Sequence, residues 1–372
     1  MDTISRHQLL AISIIYQIGT TIIFGFAAGA GRDSWLAVLI SMLLGTALVW
    51  VYASITELNP GLTYIECYPQ QFGKWIGTPI AWLHPLLFLY IAGRIVADIK
   101  DLVPSTILPG TPSWVILVVF IGVIAYGLVL GISVMGKLAE IILPLLFFIY
   151  LIEVILIISS GVVELGNLFP LLDKGWGRIW KVVWPLGIIQ SYGESLALAL
   201  VWTSVKPRQR IRKTMVVSTM IAGTFIAFTD AMAVAVFGEE IFKRATYPMY
   251  ALIQAISVAD FIAQLDATGV LYFCFMAFVK TFIYLFATIR CIQKLTRIRS
   301  NRVFIVPVVI IAFLLGISMA PNVVVHIAVV EEVIPHDPIY LSLMFVLPML
   351  LLLVSWMRRK RKAKSADEEK LA

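Results

Sequence analysis

Charged residues, cysteines and histidines are all scarce in this 372-residue sequence. Only 14% of the residues are charged, whereas 60% are hydrophobic. A soluble domain cannot bury so much apolar surface, so the composition excludes an ordinary soluble protein. The 3 cysteines are odd in number and imply no disulfide framework. The 4 histidines lack metal-ligand spacing, and neither His-Glu-x-x-His nor Gly-x-Ser-x-Gly occurs. We therefore expect no catalytic residues, metal or cofactor, and we do not expect an enzyme.

Long apolar runs take the place of these features. Each run is continuous and about 18 residues or longer, the length that an α-helix needs to cross a bilayer. The sequence predicts an all-α integral membrane protein with ten transmembrane helices, at residues 8–30, 34–56, 77–100, 113–131, 139–160, 183–203, 212–238, 268–290, 303–320 and 338–357.

The basic residues indicate the orientation of these spans. Most of the 29 Lys and Arg residues fall in alternate loops, notably 206–213 and 290–302, and in the tail 358–372. Because cytoplasmic loops are enriched in Lys and Arg, we expect both termini to be cytoplasmic. The formal charge of +7 then reflects membrane topology and contact with the lipid bilayer, and predicts no nucleic-acid partner.

Charged residues inside the predicted spans are the first candidates for function, because such residues are costly in a membrane and face the bundle interior. They are Arg94, Asp98, Glu153, Glu194, Asp230 and Lys280. Helical spacing places Tyr90, Arg94 and Asp98 on one face of the third helix, and Lys280, Tyr284 and Thr288 on one face of the eighth. Glu194 is the obvious carboxylate partner for the two central cations. Two alternatives stay open, a ligand-binding cavity and an ion network that only fixes packing. Asp98 is expected near the outer end, as an interfacial charge.

Two of the spans contain candidate helix breaks. In the first, Gly19-Thr-Thr21 indicates an unwound helix whose second half offers its backbone amides to a carboxylate, although Gly25 and Gly29 also fit close helix packing. In the sixth, Ser191-Tyr-Gly-Glu194 has capping-box spacing, so that Glu194 could cap backbone and touch no ligand. Breaks at matching places predict a 5+5 inverted repeat, with helices 1–5 in residues 1–160, helices 6–10 in 161–357, and a basic and acidic cytoplasmic tail at 358–372.

These breaks resemble the leucine-transporter fold of the amino acid/polyamine/organocation superfamily. More narrowly, the chain resembles the spore germination permeases, the B subunits of bacterial endospore nutrient germinant receptors. The similar segments are Ile4-Ser-Arg-His-Gln-Leu9, Asp33-Ser-Trp35, Phe72-Gly-Lys-Trp-Ile-Gly77 and the basic loop Lys206–Lys213.

The resemblance implies a sensor in the spore inner membrane or the bacterial cell membrane that acts with A and C subunits. It implies that a small nutrient, an amino acid or a similar polar metabolite, binds where helices 1, 3, 6 and 8 meet. Carried over by position, the ligand-binding residues are Gly19, Thr20, Thr21, Tyr90, Arg94, Tyr192, Gly193, Glu194, Ser195, Lys280 and Tyr284.

The alternative function is a proton-coupled amino-acid transporter of the same fold. Intramembrane acids serve as proton relays in such proteins. The candidates for proton coupling, or for a charge network, are Arg94, Glu153, Glu194, Asp230 and Lys280. Saturable uptake driven by a pH gradient would distinguish a transporter from a pure sensor.

Overall fold

The computed structural model describes residues 3–207, 210–256, 266–298 and 300–371. Within these ranges the chain is helical, apart from turns and one isolated parallel bridge between Ile4 and Val205. Eight of the described helices are long and apolar enough to cross a membrane. The residues at 208–209 lie outside the description, so part of the basic loop 206–213 does as well.

The first half of the chain begins with a broken helix and continues with long helices. Its helices are α1 (Arg6–Ile18), α2 (Thr21–Phe24), α3 (Ser34–Leu58), α4 (Tyr64–Phe72), α5 (Lys74–Thr106), α6 (Ser113–Leu130) and α7 (Ile132–Ser159). A 3-10 segment at Phe26–Asp33 leads into α3. The first helix starts with a capping box, in which Ser5 and Gln8 satisfy each other's backbone amides.

The second half again begins with a broken helix. Its helices are α8 (Trp176–Val182), α9 (Ile188–Ser191), α10 (Ile211–Arg244), α11 (Pro248–Gln254), α12 (Asp266–Thr296), α13 (Arg302–Ser318), α14 (Val323–Ala328), α15 (Pro338–Leu341) and α16 (Leu347–Leu371). Between α8 and α10 the chain passes through a π segment at Val183–Gly187 and 3-10 segments at Gly193–Leu200 and Trp202–Ser204.

The predicted spans correspond to this architecture. Eight of them match the long apolar helices, the ninth matches the shorter apolar helix α13, and the sixth is the interrupted stretch from α8 to Ser204. The prediction of ten spans with breaks in the first and sixth is confirmed. Several helices are longer than predicted: the third span was placed at 77–100, whereas α5 covers Lys74–Thr106.

Helices at matching positions of the two halves pack against each other. The second span, α3, lies along α10, which is the seventh, and the third, α5, lies along α12, which is the eighth. At the centre, α1 contacts α7, α10 and α12. This pairing brings the two broken helices together between α5 and α12, which is the arrangement expected of an inverted repeat.

Both chain ends lie at the same end of the bundle, which we call the terminal end. Ile4 exchanges backbone hydrogen bonds with Ser204 and Lys206, at 3.0 and 2.9 Å. On the last helix, Arg358 donates to the backbone oxygen of Gln70 at 3.0 Å, and so joins α16 to the helix α4. The opposite end is called the outer end here.

Candidate ligand-binding site

Glu194 is the centre of a buried charge cluster. It lies in the 3-10 segment after the second break and is fully buried. Lys280 Nζ on α12 lies 2.8 Å from its Oε2, and Arg94 Nη2 on α5 donates to its Oε1 at 3.2 Å. The hydroxyl of Tyr340 donates to Oε1 at 3.1 Å. One carboxylate therefore links the broken helix to the two long helices on either side of it.

The capping-box interpretation of the second break is wrong. No side chain caps the segment that begins at Gly193. Instead, the hydroxyl of Ser191 donates to Thr21 Oγ1 at 3.0 Å, and the Glu194 carboxylate is taken by the two cations. The hydrogen bond between Ser191 and Thr21 joins the two breaks directly, so each break stabilises the other.

The first break has a steric cause that the sequence did not reveal. Gly19 has a φ of 37°, and a Cβ there would lie 2.6 Å from the backbone oxygen of Tyr16 and 2.7 Å from Lys280 Cδ. The missing side chain lets the lysine cross the break and reach Glu194.

Whether the half-helix that begins after Gly19 offers its amides to a ligand stays a prediction. It begins at Thr21 with no side-chain cap, but α2 has only 4 residues and ends at Gly25, whose φ is 56°. So short a helix has little macrodipole.

Aromatic side chains enclose the charges. The hydroxyl of Tyr16 donates to the backbone oxygen of Glu194 at 2.7 Å, which satisfies a carbonyl freed by the break. The Tyr16 and Tyr284 rings lie 5.4 Å apart, and Lys280 Nζ lies 5.7 Å from the centroid of the Tyr16 ring. Sequence reasoning found Tyr284 but missed Tyr16 and Tyr340. Tyr16 stands one helical turn before Gly19, which was an available signal, whereas Tyr340 is 146 residues from Glu194.

Arg94 and Lys280 share the single carboxylate of Glu194, and the buried carboxylate of Asp98 lies one turn from Arg94 on α5. Arg94 is 4% exposed and Lys280 1%, so water does not screen the positive charges. Such a site favours an anionic group brought by a ligand. The predicted convergence of these three side chains is thus present, and whether they touch a ligand stays a prediction.

Several other predicted site residues lie elsewhere. The ring of Tyr192 packs against Gly45 on α3, and its hydroxyl faces Gly223 on α10, away from the carboxylate. Glu153 on α7 accepts a hydrogen bond of 2.6 Å from Thr268. Asp230 on α10 has no ion-pair partner in the described part of the chain. Neither acid contacts the Glu194 cluster, and their proton-coupling role stays a prediction.

The remaining predicted positions frame the cluster. Gly193 contributes the turn beside Glu194, and Ser195 donates its backbone amide to Tyr192 at 3.1 Å. Thr20 is buried beside Arg94 in a space of about 10 Å³, room for about one water. Tyr90 and Arg94 line a larger cavity of about 260 Å³ on the outer side.

A buried pair covers the outer side of the cluster. His326 Nε2 lies 2.7 Å from Asp98 Oδ1, and the two side chains are only 3% and 6% exposed. The expectation that Asp98 is an interfacial charge is therefore wrong. His326 comes from α14, in the connection between α13 and α16, and it lines both outer spaces. Sequence reasoning missed it, because 228 residues separate the partners.

Comparison with known proteins gives a consistent result. A family described as Spore germination protein matches residues 3–324. Spore germination protein KB of Bacillus subtilis (strain 168) is 27% identical over 368 residues, covering 98% of each chain. Spore germination protein YndE of the same organism is 25% identical over 334 residues, covering 89% of each chain.

Solved structures show the same fold. Mhp1, a nucleobase-cation-symport-1 family transporter in a closed conformation with bromovinylhydantoin bound, matches with a TM-score of 0.67 at 11% identity, covering 94% of this chain and 78% of that one. An Eremococcus coleocola manganese transporter matches with a TM-score of 0.53 at 16% identity, covering 94% and 76%. At such identities the likeness shows the fold alone. The chain is a multi-pass membrane protein with the leucine-transporter fold.

Proposed function

This chain belongs to the spore germination protein family, and we propose that it is the nutrient-sensing membrane subunit of a spore germination receptor. It would bind a small nutrient that carries a carboxylate, an amino acid or a similar polar metabolite, where helices 1, 3, 6 and 8 meet. One observation carries the proposal: Glu194 on the broken sixth helix holds Arg94 of the third and Lys280 of the eighth, beside a cavity that Arg94 also lines.

The charge balance supports an anionic ligand group. Arg94 and Lys280 share the Glu194 carboxylate, and the nearby Asp98 is held by His326, so Arg94 can take a ligand carboxylate as a further partner. The cavity of about 260 Å³ gives that group access to Arg94 from the outer side. Charge-assisted hydrogen bonds between Arg and carboxylate are among the strongest available to a small ligand.

Signalling would follow from the exchange of partners. A ligand carboxylate on Arg94 weakens the hold of Arg94 on Glu194, and so changes the link between α5 and the broken helix. A ligand can shift a conformational equilibrium only through different affinities for the two states. The states would differ in how the broken helices pack against α5 and α12, and partner A and C subunits would receive that difference.

The test uses the purified full-length chain in detergent and a panel of amino acids, with matched compounds that lack the carboxylate. We expect at least one carboxylate-bearing nutrient to bind in equilibrium dialysis. Arg94→Lys should weaken that binding at least tenfold, because lysine keeps the charge and loses the forked geometry. Arg32→Lys is the matched control, since Arg32 pairs with Glu239 outside the site at 3.2 Å. Equal binding of the compounds without a carboxylate, or unchanged binding by the Arg94 variant, would contradict the proposal.

A proton-coupled transporter is the second candidate. The observation that favours it is Asp230, a buried transmembrane carboxylate with no ion-pair partner in the described residues. An acid in that position can bind and release a proton as its surroundings change. Radiolabelled uptake into proteoliposomes separates the two functions. Saturable uptake that needs a pH gradient and is lost in Asp230→Asn would favour transport, whereas ligand binding without uptake would favour sensing.

A further inference from the structure

A groove on the lipid-facing side of the bundle shares no lining residue with the spaces beside the Glu194 cluster. It has a volume of about 510 Å³ and runs between the last turns of α3 and the middle of α16, at the terminal end. Its walls are mainly apolar, and its mouth is basic. The lining consists of Trp50, Ser54, Glu57, Leu58, Arg212, Met349, Leu352, Leu353, Trp356 and Arg359.

The groove has the length of one bilayer leaflet. From Met349 to Arg359 the helix α16 advances by ten residues, which at 1.5 Å per residue is about 15 Å. A hydrocarbon core of about 30 Å gives each leaflet about 15 Å. Leu353, which is 51% exposed, stands midway along this wall. The groove is therefore about as long as the hydrocarbon part of one leaflet, so one acyl chain could lie along its full length.

The mouth of the groove carries the features of a headgroup site. At the mouth, Lys360 Nζ lies 4.0 Å from the centroid of the Trp356 ring, and one turn deeper than Ser54 the Trp50 ring lies 5.5 Å from Arg212. Tryptophan rings and adjacent cations are typical of the membrane interface. Arg212 is partly neutralised by Glu57 at 3.3 Å, whereas Arg359 has no ion pair among the described residues. The mouth thus keeps a net positive charge.

One polar side chain lines the groove below its mouth. Ser54 is 6% exposed, lines the groove one turn below the mouth, and has no hydrogen-bond partner for its hydroxyl in the described structure. A buried hydroxyl without a partner is costly, but its oxygen is closed off, so a ligand's polar segment would have to displace neighbouring side chains to reach it. The ester-linked glycerol backbone of a phospholipid supplies acceptor oxygens just below its phosphate.

We propose that this groove is a binding site for one anionic glycerophospholipid of the leaflet at the terminal end. Its phosphate pairs with Arg212 and Arg359, its glycerol esters face Ser54, and one acyl chain lies along Leu352 and Leu353. The cation Arg359, which has no ion pair among the described residues, favours a lipid phosphate over an uncharged partner helix.

The experiment is native mass spectrometry of the full-length chain from detergent. Phosphatidylglycerol and phosphatidylcholine with identical acyl chains are supplied in equal amounts. We expect one retained phosphatidylglycerol per chain, preferred at least tenfold over phosphatidylcholine. The double variant Arg212→Gln with Arg359→Gln should lose the preference at least tenfold. The matched control, Lys213→Gln with Arg302→Gln, removes two exposed charges at the same end and should keep it.

Two further arms identify the occupant. Leu353→Trp fills the groove without changing the charge and should reduce retention of both lipids, while inorganic phosphate should displace neither. A photo-reactive residue at position 353 in intact membranes should crosslink to lipid. If both double variants lose the preference for phosphatidylglycerol equally, the preference comes from general surface charge and the proposal is overturned. A crosslink to a protein would overturn it in favour of a partner helix.

Discussion

Removing the charge of Glu194 should destabilise the protein more than removing the charge of Lys280. Glu194→Gln leaves Arg94 and Lys280 as two buried cations with no anion between them, whereas Lys280→Met leaves one balanced pair. At an effective dielectric constant of about 20, the separations of 2.8 and 3.2 Å correspond to attractions of about 6 and 5 kcal/mol. Desolvation of the charges offsets much of this attraction in the native protein. The net cost of removing one partner from a buried pair is typically about 3–5 kcal/mol.

The double variant provides the sharper test. Combining Glu194→Gln with Lys280→Met restores the native net charge of the cluster, with Arg94 as its single excess cation. We therefore expect the double variant to be more stable than Glu194→Gln alone by about 1–3 kcal/mol, because the two positions are energetically coupled. Glu153→Gln is the matched control. Glu153 is also a buried transmembrane glutamate, and its described hydrogen bond comes from the neutral hydroxyl of Thr268 at 2.6 Å.

The measurement is the fraction of protein that remains monodisperse after heating in detergent, followed by size-exclusion chromatography. The expected order of thermal midpoints places wild type highest and Glu194→Gln lowest, with the double variant between them. The reasoning fails if Glu194→Gln melts no lower than Glu153→Gln, or if adding Lys280→Met lowers the midpoint further. Either result would mean that Glu194 does not hold the two cations in the membrane.

Three further outcomes follow from other contacts. Gly19→Ala should lower the free energy of unfolding by about 2–4 kcal/mol, because its φ is positive and the new methyl group overlaps Lys280. Gly61 also has a positive φ but nothing within 4 Å, so Gly61→Ala should lower it by only about 1–2 kcal/mol in the same melts. His326→Ala should free Asp98 and raise the reactivity of a cysteine placed in the outer cavity toward a membrane-impermeant maleimide; unchanged labelling would show that this pair does not close the outer side. On α4, outside the spans, burial opposes ionisation, yet hydrogen bonds from the N-cap threonine and a lysine lower the pKa of Glu66. Its stabilisation is present above the unfolded pKa of 4.5 and is lost as pH falls through the lower folded value, so Glu66→Gln should lower the thermal midpoint at pH 7 and match wild type in strong acid.

The sequence predicted the spans and the breaks because both are local signals. A membrane helix must be apolar over its whole length, and a glycine beside polar residues in such a run has few explanations. The charges at Arg94, Glu194 and Lys280 could be linked in advance because the membrane leaves a buried charge few partners. For the same reason, Glu194 was expected to lie between Arg94 and Lys280.

The missed features depend on contacts that are distant in the chain. Ser191 and Glu194 have the spacing of a local cap, yet Ser191 instead bonds to Thr21, a tertiary partner that the sequence pattern did not indicate. Tyr340 and His326 come from the last third of the chain, where the sequence offered only an ordinary start of a span and an isolated histidine. Asp98 looked interfacial because its depth was judged along its own helix, without the segment that folds over it.

The position of Asp98 bears on how an amino acid would use the proposed site. Arg94 and Asp98 stand four residues apart on α5, about 6 Å along one face, and both line the small space that contains Thr20. That space of about 10 Å³ would have to open before a zwitterion placed its carboxylate at Arg94 and its ammonium group at Asp98. Asp98 is held by His326 at 2.7 Å, and Arg94 by Glu194 at 3.2 Å, so the ligand would replace one native partner at each end. Release of His326 loosens the outer connection, and release of Glu194 loosens the broken helix. Binding of the nutrient and movement of both elements would then be a single exchange of partners at Arg94 and Asp98.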